Sequence, residues 1–175
     1  MQRIIAISAA ILGVASAAPY PAEPETFSLR AELTDPAKDL TPSVQGLYLS
    51  YERVGQGVNI AVAKSDPTVF SRKEAEGGAT IVHDTPVYPL SLFAQGPNDF
   101  DASYPEEHNV GLLVNDATRG LNVSPHLTGP GAGTYLICYR QVTFPSGPAQ
   151  LPLPRFLHDH ETIPDGCVAV NFKPE

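Results

Sequence analysis

Hydrophobic and polar residues alternate in short runs along most of the chain. In "TFSLRAEL", Phe27, Leu29, Ala31 and Leu33 fall on one side of an extended backbone and Ser28, Arg30 and Glu32 on the other. A period of two is that of a half-buried strand. "QGLYLSYERVGQGVNIAVAKS" predicts a hairpin. Leu47, Leu49 and Tyr51 line one face of its first arm, and Val58, Ile60 and Val62 line one face of its second. Gly55 and Gly57 supply the positive φ of a tight turn or bulge. No helix pattern and no Gly-Lys-Ser/Thr follows, so the glycines read as a turn and not as a phosphate loop.

Further along, two short strands flank Glu76-Gly77-Gly78. "PVYPLSLFA" is a strand whose prolines point to a sheet edge. "VGLLVNDATRGLNVSP" predicts a buried strand, a turn at Asn115-Asp116 and a further short strand, and "GPGAGTYLICYRQVTF" a loop and then a long strand. "PSGPAQLPLPR" reads as Pro-rich and extended, and "CVAVNF" as the last strand. "DPAKDLTPSV" and "QGPNDFDASYPEEHN" are loops. With about nine or ten short strands and close turn signals, the pattern predicts an all-β, single antiparallel β-sandwich domain over residues 26–175.

The N-terminus has a different character. Arg3 precedes the uncharged apolar run Ile4 to Ala15, and Ala15-Ser16-Ala17 has the small-x-small pattern of a signal peptidase site. Residues 1–17 therefore read as a signal peptide. A membrane anchor would need about 20 apolar residues, and Pro19 and Pro21 come too soon. Residues 18–25, "APYPAEPE", read as a Pro-rich, acidic arm ahead of the domain. The expected protein is secreted and extracellular, with no membrane association in the mature form.

Composition narrows the partners. Asp and Glu number 19 against 11 Lys and Arg, a net charge of −8 with no basic cluster, so nucleic acid is not an expected partner. Trp is absent, which weakens a sugar-stacking reading, although seven Tyr could substitute.

Candidate chemistry is sparse. Cys138 and Cys167 both lie in strand-like runs, 29 positions apart. Exactly two cysteines in a secreted chain pair most simply with each other. Asn122-Val123-Ser124 is an N-glycosylation sequon, with Pro125 lowering its occupancy. His158 and His160 in "RFLHDHETIPDG" would share a face of a strand and could begin a metal site. Asp159 and Glu161 beside them would point away. His83, His108 or Glu106 could supply a third ligand from elsewhere, but nothing in the sequence brings them there, so the stretch reads as a surface connection ending in a Pro164-Asp165-Gly166 turn. No metal and no cofactor is expected, and a mature N-terminus at Ala18 excludes copper enzymes that use an N-terminal histidine. Asp99, Asp101, Glu106 and Glu107 offer carboxylates for acid–base work, but a single polar loop holding them reads first as a solvated acidic run. There is no Gly-x-Ser-x-Gly elbow, and Ser146 in "FPSGP" lacks its strand-to-helix setting.

The order of signal peptide, "YERVGQGVNIAVA", "GLLVNDATRGL", "TYLICYR" and the closing "PDGCVAVNF" resembles a group of small secreted proteins of filamentous fungi that form a family of unknown function. The resemblance spans about residues 26 to 173 and implies a secreted fungal β-domain. It carries no catalytic residue onto this chain. Two functions remain open. One is a non-enzymatic extracellular domain that binds a glycan or protein at the cell wall, in the medium or on a host. The other is a secreted carbohydrate-active enzyme or other hydrolase joining Asp101, Glu106, Glu107 or His108 to His158 and His160. Whether those two segments meet in a cleft discriminates between them.

Overall fold

The computed structural model describes residues 26–55, 58–99, 103–159 and 161–175. The expected signal peptide, its cleavage site, the arm, Gly57, Asp101 and His160 lie outside the described residues. The strands are β1 (Thr26–Phe27), β2 (Leu29–Leu33), β3 (Tyr48–Gly55), β4 (Val58–Lys64), β5 (Phe70–Lys73), β6 (Thr80–His83), β7 (Leu90–Ala94), β8 (His108–Leu113), β9 (Gly133–Phe144), β10 (Gly147–His158) and β11 (Cys167–Pro174). A 3-10 turn, Pro36–Lys38, is capped by the Asp35 side chain. Among the described residues no helix is long and apolar enough to cross a membrane.

All eleven strands belong to one antiparallel sheet in the order β1-β5-β6-β7-β8-β10-β9-β11-β2-β3-β4, and β4 also pairs with β8. That last pairing folds the sheet over on itself, so the expected sandwich is built from one continuous sheet around a shared core. The interior takes Phe27, Leu29, Ala31 and Leu33 as the alternation predicts, together with Phe70, Leu92, Ile137, Phe156 and Phe172 from distant strands. In the β3–β4 hairpin, Leu49 stands opposite Ala63 and Tyr51 opposite Ala61. The core face of β4 is therefore Ala61 and Ala63, and Ile60 falls on the other face.

Two expectations about local structure change. β7 has β6 on one side and β8 on the other, so it is no edge strand. Pro86 and Pro89 precede the strand, and no ladder donor is lost. The short strand expected after Asn115 does not form. Thr118 and Gly120 instead donate backbone N–H groups to Leu92 and Ala79, which bends the segment, while Leu121, Val123 and Leu127 plug the core from irregular backbone.

The Pro-rich run forms a full strand. β10 pairs with β9 without interruption from Gly147↔Phe144 to His158↔Gly133. Its prolines, at 148, 152 and 154, share one parity. Alternate residues of a strand direct their N–H and C=O groups to the same edge, so all three missing donors fall on the edge away from β9. That edge finds no ladder partner until Phe156, the next residue of this parity with an N–H, where β10 meets β8 through Arg155↔Asn109 and Phe156↔His108. β4 reaches the same edge of β8 slightly further on, at Ile60↔Gly111. β4 and β10 thus flank a seam that β8 bridges and that the prolines keep unpaired.

Candidate functional site

Glu107 stands just before β8 and is fully buried. Its Oε1 accepts from Arg140 Nε at 2.7 Å and from Arg140 Nη2, and its Oε2 accepts from Arg155 Nε at 3.0 Å. Arg140 projects from β9 and Arg155 from β10. Arg140 also donates to the carbonyls of Tyr139 and Asp165, and Arg155 Nη1 donates to Asn109 Oδ1. The Tyr104 ring lies against both guanidiniums, with centroid distances of 4.9 and 6.0 Å. The expected solvated acidic run is corrected here: Glu106 is exposed, but Glu107 is held in the interior by charge-assisted bonds.

Cys138 of β9 faces Cys167 of β11 directly across the ladder, with their sulfurs at disulfide distance, 2.00 Å. Cys167 Sγ lies 3.1 Å from Arg140 Nη2 and 3.7 Å from Glu107 Oε1. This brings Glu107, Cys138 and Cys167 close together. The sulfurs are spent on each other and the carboxylate on two arginines, so the trio is not a metal-ligand set.

The histidines form the adjoining part of the cluster. His108 is fully buried, with Nδ1 at 2.7 Å from the Asp99 carbonyl oxygen and Nε2 at 3.0 Å from Glu161 Oε1. Glu161 Oε2 accepts the backbone N–H of His158 at 2.7 Å. His158 closes β10, its ring edge-on to His108 at 4.5 Å and its Nε2 at 3.2 Å from the Gln95 carbonyl. Glu161 was expected to point away from the His pair; it turns back because the 158 N–H, like those of the other even residues, faces away from β9. The segment is also less superficial than expected, since His158 is buried while Asp159 and residues 161–163 are exposed. The turn itself has the expected form. Cys167 N–H reaches the Pro164 carbonyl, and Gly166, at φ 73°, adopts the left-handed conformation that a side chain would strain.

Burial pushes the Glu161 carboxyl up, but the hydrogen bonds from His108 and the His158 N–H, with the charge of both imidazoles, outweigh it and hold it below the usual carboxylate range. A carboxyl depressed on folding adds stability above its unfolded value, and this is lost as pH falls through the lower folded one. In urea melts the wild type is expected to lose stability as pH drops below about 4.3, the ordinary Glu value. Glu161→Gln should show a shallower loss over that window and lower stability at neutral pH. Parallel pH profiles of the two proteins would contradict this role.

Beyond the cluster, the unpaired seam opens into a cavity of about 490 Å³ between β4, β8, β9 and β10. Its polar lining includes Asn59, Gln95, Tyr104, Asn109, Gln141 and Arg155, and its apolar walls include Ile60, Phe93 and Leu113. Asn59 is 5% exposed, and its Nδ2 is a buried nitrogen with no hydrogen-bond partner. Among the described residues, His108 therefore does meet His158 and Glu161, but these groups are engaged with one another, and Glu107 with the two arginines, behind the cavity wall. Asp99 contributes its backbone carbonyl. His83 sits elsewhere, bonded to the Val69 carbonyl, and His126 lines a separate small pocket. Asn122 is exposed, with Oδ1 accepting the Ser124 N–H. Sequence reasoning missed Arg140, Arg155, Asn59, Gln95 and Tyr104. The available signal was Pro152 and Pro154, in step with each other and followed at once by a charged residue inside a strand.

The molecule is thus an all-β domain of one folded-over antiparallel sheet, with a buried ionic cluster and a cavity at its seam. Residues 24–175 match a domain of unknown function (DUF7907), and the chain belongs to that family. No curated protein and no solved structure matches it.

Proposed function

We propose that this is a secreted extracellular domain of fungal type that binds a ligand in the seam cavity without transforming it. The leader pattern, the acidic charge, the cysteine pair at disulfide distance and the resemblance to small secreted fungal proteins support the extracellular setting. One observation carries the binding reading: among the described residues, the buried acid–base candidates Glu107, His108 and His158 are engaged by the fold. Glu107 is bonded to two arginines, and both ring nitrogens of His108 face oxygen acceptors. The described lining of the cavity is amides, a tyrosine, the hydroxyls of Ser103 and Thr143, Arg155 and apolar side chains.

The convergence of His108, His158 and Glu161 favours a second reading, a secreted hydrolase or carbohydrate-active enzyme. Against it, none of the described cavity-lining residues is a carboxylate. The test is an array of glycans, cell-wall and host proteins and small metabolites, probed with wild type and Tyr104→Ala and paired with a panel of hydrolase substrates. Retention of a ligand by wild type, lost in Tyr104→Ala, with no turnover, is the expected result. Turnover that disappears in Glu161→Gln would replace binding with catalysis.

A further inference from the structure

Several polar groups of the described cavity wall are engaged with one another. Gln95 Oε1 accepts the Asn109 N–H at 2.6 Å, and Asn109 Oδ1 accepts from Arg155. Arg155 also donates to Glu107 at 3.0 Å, and the Tyr104 ring lies against its guanidinium. Asn59 is different. It falls in step with Ala61 and Ala63 on the core face of β4 and is 5% exposed. Its Nδ2 is buried at the cavity wall and has no hydrogen-bond partner among the described residues. A buried donor left unsatisfied is costly, and native structures seldom keep one without a purpose.

Much of the space around that amide is apolar. Ala61 is small and buried beside it, Ile60, Phe93, Leu113 and Val142 add half-buried side chains, and Leu153 adds a buried one. An occupant that suits this wall brings an acceptor oxygen to Asn59 and an apolar body to the rest. The carbonyl of a ketone, ester or lactone does so, because it accepts a hydrogen bond without bringing a donor that needs a partner in turn. A carboxylate is a poorer occupant. Arg155, the basic residue of the described lining, is committed to Glu107 and Asn109, and a charge buried without a counter-charge of its own is costly.

We infer that the seam cavity binds a small neutral molecule with an apolar body and a carbonyl group, the carbonyl oxygen received by Asn59 Nδ2. This rests on the binding reading above and names the ligand class for the same cavity. A volume near 490 Å³ lies within the usual range for small-molecule sites.

The experiment is titration of the purified, isotope-labelled protein with acetophenone, read by calorimetry and by the Asn59 side-chain NH2 resonance. Ethylbenzene, with a methylene in place of the carbonyl, is the matched ligand lacking an acceptor, and benzoate is the charged one. Acetophenone is expected to bind at a single site, about tenfold tighter than ethylbenzene, as one hydrogen bond to a buried donor implies. Benzoate should bind more weakly than acetophenone. Acetophenone should move the Asn59 NH2 resonance downfield, and ethylbenzene should not. Asn59→Ala removes the donor without adding bulk, so it should weaken acetophenone by about tenfold and leave ethylbenzene unchanged. An asparagine that serves only the fold would weaken both ligands or neither. The resonance is read on wild type, so the test holds even where Asn59→Ala does not fold. Equal affinity for acetophenone and ethylbenzene, tighter binding of benzoate, an unmoved Asn59 resonance, or no acetophenone binding at all would overturn the inference. If acetophenone fails while the array retains a ligand lost in Tyr104→Ala, the carbonyl assignment falls and the binding reading stands. Turnover of an array ligand would remove the binding reading itself.

Discussion

Glu107→Ala is expected to destabilise the domain by about 3–5 kcal/mol, the usual cost of removing one partner from a buried ion pair. Arg140 and Arg155 have side chains only 11% and 6% exposed, and both direct Nε at the Glu107 carboxylate. Without it, two cations remain close together in the interior, and neither can swing to solvent without abandoning its other bonds to Asp165, Tyr139 or Asn109. Glu107→Gln keeps the shape and acceptor oxygen and should cost less than Ala. Urea unfolding followed by tyrosine fluorescence measures both. A loss under about 1 kcal/mol for Ala, typical of a solvated surface pair, would show that the carboxylate is not clamped.

Cys167→Ala is expected to cost about 2–5 kcal/mol and to reduce the yield of folded protein. The pair joins directly opposed residues of β9 and β11 and closes the 29-position connection that contains the turn at Gly166 and the loop carrying Glu161. Cutting it loosens the chain that presents Asp165 to Arg140 and Glu161 to His108, so the effect should reach the ionic cluster. Intact mass should fall below that of the reduced protein by one pair of hydrogen atoms, with no thiol labelled in the native state. Labelling of either cysteine, or unchanged stability in Cys167→Ala, would contradict the pairing.

Strands whose two faces differ were legible in the sequence. β2 alternates without exception, with Leu29, Ala31 and Leu33 buried and Arg30 and Glu32 exposed, and β3 and β4 pair as the expected hairpin, with a register shift between Arg53 and Gly55. β10 was harder, because proline was weighed by its presence and not by its parity. Prolines 148, 152 and 154 leave the β9 ladder intact while silencing the opposite edge, and that long-range consequence creates the seam. The acidic loop misled for a related reason. Nothing local to Glu106-Glu107 says which carboxylate is buried; the arginines that decide it come from strands more than thirty residues away. The segment around Leu121 and Val123 has the residues of a strand, but its backbone donors are claimed by Leu92 and Ala79 and it folds as a plug. Asn59 had no signal at all, since a polar residue in a half-exposed hairpin looks ordinary until burial is known.

The central claim is that the seam cavity binds a ligand while the Glu and His groups behind it serve the fold. Side-chain amide NMR of the protein with the ligand retained on the array tests this most directly. The NH2 signals of Asn59, Gln95 and Asn109 should shift on binding while the ligand's own spectrum stays that of the intact molecule. Shifts confined to another face, such as the surface around His83, or ligand signals giving way to those of a product, would contradict it.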